Sequence, residues 1–178
     1  MTHPINHTFQ VVPGNKDAKG LFRGNLTFLD MIVRWHRFLT VKIAKTPSDF
    51  GKIFVLRYKV FMLEQGFHED IEIDEHDDAA IHLFVDNGAT AAATLRLFWS
   101  GDDVMLGRMA VAKESRWTGI GRALVKRAIM EAKKLGGRYL MAHAQMQALG
   151  FYEKVGFEKI GDEFDEEGVT HQLVRFKL

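Results

Sequence analysis

From residue 41 onward the apolar positions fall into two periods, alternating every second residue in some stretches and recurring every third or fourth in others. Val41-Lys42-Ile43-Ala44 has the pattern of a strand, and Ser48 is placed to cap a helix carrying Phe50, Ile53, Phe54, Arg57, Val60 and Phe61. Residues 80–85 and 91–98 read as strands on either side of an Asp86-Asn87-Gly88 turn, and 104–111 as another. The plainest helix covers 119–135, with Ile120, Leu124, Ala128 and Leu135 on one face and Gly136-Gly137 as its stop. A strand at 138–142, a short helix at 148–154 and two late strands at 157–160 and 171–177 complete a mixed α/β (α+β) sheet. Before residue 41, Phe28, Ile32, Trp35 and Leu39 recur at near-helical spacing behind a cap at Asn25 or Thr27. Residues 1–40 thus read as an extension with one short amphipathic helix, and residues 41–178 as the domain proper.

Composition narrows the function. With 178 residues, 47% hydrophobic and 26% charged, the chain matches a globular domain. Lys and Arg total 24 against 23 Asp and Glu, a net +1 that speaks against a nucleic-acid partner. The absence of cysteine removes disulfides, thiolate metal sites, Fe–S clusters and a cysteine nucleophile. No apolar run is long enough to span a bilayer, and Met1-Thr2-His3-Pro4 lacks the order of a secretory signal, so a cytoplasmic protein with no membrane role is expected. The first forty residues lean basic, with Lys16, Lys19, Arg23, Arg34 and Arg37 against Asp17 and Asp30. Their helix is not densely basic, so docking on protein fits it better than docking on a membrane surface.

The segment Arg116-Trp117-Thr118-Gly119-Ile120-Gly121-Arg122 joins a strand to the strongest helix. Two glycines two apart allow backbone N–H groups to turn inward, and a helix start adds unpaired donors, so the turn can receive a phosphate or serve only as a tight connection. Leu124 stands where a dinucleotide fingerprint needs a small residue, and no Gly-Lys-Ser/Thr follows.

Val111, Arg116, Gly119-x-Gly121 and Leu124 together resemble the acyl-CoA-binding motif of the GNAT superfamily of N-acyltransferases. Residues 144–157, with Ala144-Gln145 and then Phe151-Tyr152-Glu153-Lys154-Val155-Gly156-Phe157, resemble its second signature. Arg57-x-x-Val60-Phe61-x-x-Glu64-Gln65, Glu72-x-Asp74-x-x-Asp77-x-x-Ala80-x-His82 and Glu167-Gly168-Val169-Thr170-His171 are similar to the ElaA-like and YjcF-like branch, with Thr170 where that branch has proline. The resemblance runs from about residue 41 to the end, and residues 1–40 match nothing in it. It implies a mostly antiparallel sheet with splayed central strands flanked by helices. It also implies acetyl-CoA as cosubstrate, no metal, a small-molecule or lysine amine as acceptor, and a homodimer as an option. Carried over residue by residue, Met109, Ala110 and Val111 would offer main-chain groups to pantetheine. Arg116, Trp117, Thr118, Gly119, Ile120, Gly121 and Arg122 would hold the pyrophosphate, with Gln145 alongside. Tyr152 would stand at the general-acid position, by the cofactor. Reference pKa values of about 10 for tyrosine and about 8.5 for a thiol make full proton transfer to the leaving thiolate uphill by about 2 kcal/mol. A tightening hydrogen bond is the simpler role, and a plain packing aromatic is the alternative.

The acceptor side is less defined. Residues 62–78 carry Glu64, Glu69, Asp70, Glu72, Asp74, Glu75, Asp77 and Asp78 without a Lys or Arg. Such a run is either a solvated loop or a wall that attracts an ammonium group. An amine of pKa near 10 is about one part in a thousand neutral at pH 7, so a base must take a proton before attack. Glu72, Asp74 and His82 are the candidate bases, with Glu64 and His171 as further acceptor-side residues. Asp70-x-Glu72-x-Asp74 begins like a calcium loop, but Glu75 replaces the required glycine and Ile81 the bidentate glutamate. His76 and His82 alone do not make a zinc site. An enzyme of this kind is the leading reading, and a CoA-binding sensor or interaction module without catalysis the alternative.

Overall fold

The computed structural model describes residues 40–67 and 74–178. The expected helix around Phe28, Ile32, Trp35 and Leu39, and the candidate base Glu72, lie outside the described residues. Seven strands, β1 (Val41–Ile43), β2 (Ile81–Asp86), β3 (Ala91–Ser100), β4 (Asp103–Val111), β5 (Tyr139–Gln145), β6 (Glu158–Glu166) and β7 (Val169–Lys177), form one sheet in the order β1-β2-β3-β4-β5-β7-β6. Every neighbouring pair is antiparallel except β4 and β5. Those two are parallel because the chain crosses between them through α2 (Ile120–Leu135), the helix with the clearest apolar stripe.

Both faces of the sheet are covered. Ile120, Leu124, Val125, Ala128 and Ala132 of α2 pack with Leu83, Leu95, Leu97, Leu106 and Leu140. On the other face Ile53, Leu56 and Val60 pack with Phe84, Ala91 and Ala110. Residues 91–97 of β3 are consequently buried on both sides, which accounts for an apolar run interrupted by the buried Thr94 and Arg96. The first helix, α1 (Pro47–Arg57), is capped by Thr46 rather than by the expected Ser48. Thr46 Oγ1 accepts the Asp49 N–H at 3.2 Å while the Asp49 carboxylate accepts the Thr46 N–H at 3.1 Å, and Pro47 occupies the first turn. Ser48 already lies inside the helix. The chain then continues as π-helical turns over Tyr58–Glu64.

Two irregularities shape the centre of the sheet. The β4–β5 ladder pairs only Val104–Leu106 with Leu140–Ala142, so the strands part beyond Leu106 and Ala142, as the splayed expectation requires. On its other side β4 carries a bulge: Thr94 pairs with Ala110 and Arg96 with Gly107, leaving Arg108 and Met109 opposite Leu95 alone. Arg108 adopts φ of 50° there. Strand β6 runs well beyond its expected end at 160, because this edge strand is mostly exposed and polar and gives little apolar period to read, while β7 starts slightly earlier than expected. They are joined by Glu167 and Gly168, both at positive φ, as a two-residue hairpin demands.

Candidate active site

A cleft of about 530 Å³ opens where β4 and β5 diverge. Phe61, Met62 and Gln65 from the π-helical turns wall one side, Arg96 and Phe98 of β3 another, and His143 and Gln145 of β5 with Glu166 and His171 a third. The side chains at 141, 143 and 145 share one face of β5, while Leu140, Ala142 and Ala144 enter the core on the other.

Tyr152 reaches the cleft from the short helix α3 (Leu149–Lys154). Its ring lies edge-on to Phe151 and Phe157, at 5.4 and 5.3 Å between centroids. Among the described residues the hydroxyl donates only to the Met109 sulfur, at 3.7 Å, a weak acceptor. Burial pushes the phenol well above its ordinary pKa, so it keeps its proton at neutral pH.

The turn leading into α2 is built to leave main-chain donors unclaimed. Gly119 occupies the N-cap position at φ of 85°, no side chain caps the helix, and its first turn holds no acidic residue. The N–H groups of Ile120, Gly121 and Arg122 therefore precede the first intrahelical bond, which runs from Ala123 to the Gly119 carbonyl. Ile120 anchors this turn in the core. A Cβ on Gly121 would stand 3.3 Å from the Met109 methyl and 3.5 Å from the Phe151 ring, so glycine lets the helix approach β4. Thr118 Oγ1 closes the turn on the Ser115 carbonyl at 2.7 Å. Trp117 is wholly exposed and holds φ of 65°, a conformation costly for a residue with a side chain. Ala110 is buried, whereas Met109 and Val111 are half-buried, and beyond Leu106 no β5 ladder occupies this edge of β4.

The two arginines of the turn have protein partners. Arg116 donates Nε to the Val111 carbonyl at 3.1 Å and pairs both terminal nitrogens with Glu64, at 2.6 and 2.7 Å. Glu64, expected on the acceptor side, is thus a counter-ion for the turn, and the Arg116 hydrogen bond holds its carboxyl below the ordinary range. Arg122 donates to the Lys154 carbonyl at the end of α3, at 3.0 Å. Gln145 donates to Gln65 at 3.2 Å and accepts from Gln147 at 2.8 Å.

Of the acidic run, Asp74 and Asp77 are bound into an ion-pair network. Asp74 lines the cleft but receives both terminal nitrogens of Arg96, and Arg108 at 3.0 Å. Burial pushes its carboxyl up, but Arg96, the His76 N–H and Arg108 outweigh that and hold it below the usual range. Such a group is a poor proton acceptor at neutral pH. Beneath it, Asp77 is bracketed by Arg57 at 2.7 and 3.2 Å and by Arg96 at 2.9 Å. His82 is not among the cleft's lining residues: it is 2% exposed, with Nε2 on the Asp77 carbonyl at 2.9 Å and Phe50 edge-on at 5.2 Å. Burial lowers its pKa and keeps it neutral. Neither residue is disposed to serve as the base; both hold the network together. His171 does line the cleft, with Nδ1–H donating to the Val169 carbonyl at 2.8 Å.

Sequence reasoning missed one pair that faces the cleft, His143 Nδ1 against Glu166 Oε2 at 2.8 Å. Its only advance signal is the position of His143 on the outward face of an alternating strand. Among the described residues no group of three His, Asp, Glu or Cys side chains is disposed to hold a metal, and no helix is long and apolar enough to cross a membrane.

The model of the acetyltransferase (GNAT) domain family matches residues 51–178. The chain is 30% identical over 130 residues to YjcF of Bacillus subtilis, an uncharacterised N-acetyltransferase, covering 72% of this chain and 93% of that one. An acyl-CoA N-acyltransferase from Pseudomonas aeruginosa superposes with a TM-score of 0.69 at 24% identity, covering 77% of this chain and 98% of the other. Escherichia coli ElaA does so with a TM-score of 0.68 at 21% identity, over 78% and 100%. At those identities the two structures speak for the fold.

Proposed function

The chain belongs to the GNAT acetyltransferase family, and on that premise we propose that it carries an acetyl group from acetyl-CoA directly to a primary amine, with no covalent enzyme intermediate. The observation that carries it is the coincidence of three features at one place: the parted β4–β5 edge, the uncapped start of α2 and the buried Tyr152 hydroxyl.

Each feature suits one portion of the donor. The vacant β4 edge at Met109, Ala110 and Val111 offers main-chain groups to the amides of pantetheine, as a missing strand would. The first-turn N–H groups of α2, together with the helix dipole, suit the pyrophosphate. Arg116 is fixed by Glu64 and Val111, so it contributes positive charge to that turn from a set position. Gly121 keeps the approach open. Tyr152, protonated and hydrogen-bonded to a thioether, is free to turn its O–H toward a leaving sulfur. The acceptor enters from the side lined by Phe98, His143, Glu166 and His171.

Calorimetric titration with acetyl-CoA tests the reading. Saturable one-to-one binding is expected with a Kd of roughly 1 μM to 1 mM, the span of ordinary KM values. Absence of saturation across that span overturns it.

A further inference from the structure

An amine arrives at the cleft as an ammonium ion, and the residues first considered as its base are committed elsewhere. Asp74 is clamped by Arg96 and Arg108, and His82 is sealed beneath the cleft. His143 is placed differently. It projects from β5, one strand position short of Gln145, onto the face that lines the cavity. Glu166, at the end of β6, takes its Nδ1 at 2.8 Å, and Phe164 packs edge-on against the ring at 4.9 Å. The hydrogen bond from His143 first of all holds the Glu166 carboxyl below its ordinary range, so at neutral pH Glu166 is an acceptor and the proton of the contact sits on Nδ1. Nε2 then carries a lone pair and has no partner among the described residues. A carboxylate behind an imidazole both fixes this tautomer and stabilises the cation formed on proton uptake. His171 lacks that support, because its Nδ1 rests on a carbonyl.

We propose that His143 is the general base of the transfer and Glu166 its positioning residue; the assignment rests on the acyl-transfer reading above. His143 Nε2 takes one proton from the ammonium group. The amine nitrogen forms its bond to the thioester carbonyl carbon as the carbon–sulfur bond breaks. The departing sulfur leaves as a thiolate held by the Tyr152 O–H hydrogen bond and takes a proton from solvent, while the second nitrogen proton and the one on His143 go to solvent. Amide, thiol and one proton leave, balancing an ammonium ion and a thioester.

The charged and titratable groups facing this pair are Glu167 at the β6–β7 turn, His171 on β7 and Arg108 on β4, with His76 and the Arg96–Asp74 pair on the far wall. Removal of the base is therefore read against a fixed background by changing only His143 or Glu166. The full chain is assayed for thiol release from acetyl-CoA with concentrated n-propylamine as stand-in acceptor, between pH 5.5 and 9.5. His143→Asn is expected to lower the rate at pH 7 by roughly 10²- to 10³-fold, with the deficit shrinking as the amine loses its proton unaided. Glu166→Gln is expected to cost roughly tenfold and to displace the acid limb of the profile. The KM for acetyl-CoA stays within about twofold in both. A His143→Asn rate within about threefold of the parent overturns the proposal, as does an unmoved acid limb, or acetyl-CoA binding by the parent without any amine-dependent thiol release. Nitrogen NMR of the imidazole supplies a readout independent of turnover: the Nδ1–H tautomer supports the assignment and the Nε2–H tautomer overturns it. Failure of acetyl-CoA to bind the parent is a separate result, which removes the underlying reading rather than this assignment.

Discussion

Asp77→Asn is expected to lower the thermal unfolding midpoint by roughly 6–20 °C, measured by calorimetry or circular dichroism at pH 7. Both carboxylate oxygens of Asp77 are taken by guanidinium groups, from Arg57 on α1 and Arg96 on β3, and Oδ2 also accepts the Asp74 N–H at 3.2 Å. Arg57 is 1% exposed, so its charge has little access to water. Asparagine keeps the shape but withdraws the negative charge from between two buried cations, a change that costs about 3–5 kcal/mol. At about 2–4 °C per kcal/mol for a chain of this size, the shift follows. The same carboxylate sets an acid limit. Burial pushes it up, but the two arginines outweigh burial and bring it down to about 2, against 3.8 for an ordinary aspartate. A depressed folded-state value means that the contribution is complete above pH 4 or so and is lost as pH falls toward 2. The variant should therefore lose less stability than the parent across that window. A midpoint shift under about 3 °C at pH 7 would show that the pair is dispensable.

Tyr152→Phe is expected to lower kcat by about 10²-fold while leaving acetyl-CoA affinity and folding nearly unchanged. Among the described residues the hydroxyl is bonded only to a thioether, so its loss leaves no strong acceptor there unsatisfied, and the edge-on contacts with Phe151 and Phe157 survive. A stability change below about 1 kcal/mol is anticipated. The catalytic loss arises because the O–H bond strengthens only as charge gathers on sulfur, and interactions of that kind raise kcat rather than lower KM. Coenzyme A is a fair leaving group, which places the effect at the lower end of the range for proton donors. An unchanged kcat, with bond breaking shown to limit turnover, would remove Tyr152 from the chemistry.

Strong periodicity made most of the architecture readable. The helix from Ile120 to Leu135 and the buried strand from Ala91 carry patterns that tertiary context reinforces. Polar edge strand β6 has no such pattern, and its limits were missed. The cap lies at Thr46 rather than Ser48 because Pro47, between them, takes the first helical turn. In the site, main-chain roles around Gly119 and Gly121 could be proposed from glycine spacing alone. The acidic run told less than it promised. Asp74 and Asp77 meet Arg57, Arg96 and Arg108 across separations of about 20 to 34 residues, and no local pattern encodes which acid meets which base. His143 and Glu166 likewise come together only because β6 folds back on β7, which lies beside β5.

Trp117 sits wholly in solvent on the turn before α2, one of three tryptophans in the chain. An indole surrounded by water fluoresces at long wavelength, and its emission shifts or dims when another molecule settles against it. Trp99, at the far end of β3, is half-exposed and absent from the residues of that turn. The chain thus carries a built-in optical reporter beside the uncapped amides at the start of α2, and comparison with Trp117→Phe isolates its signal without any attached dye.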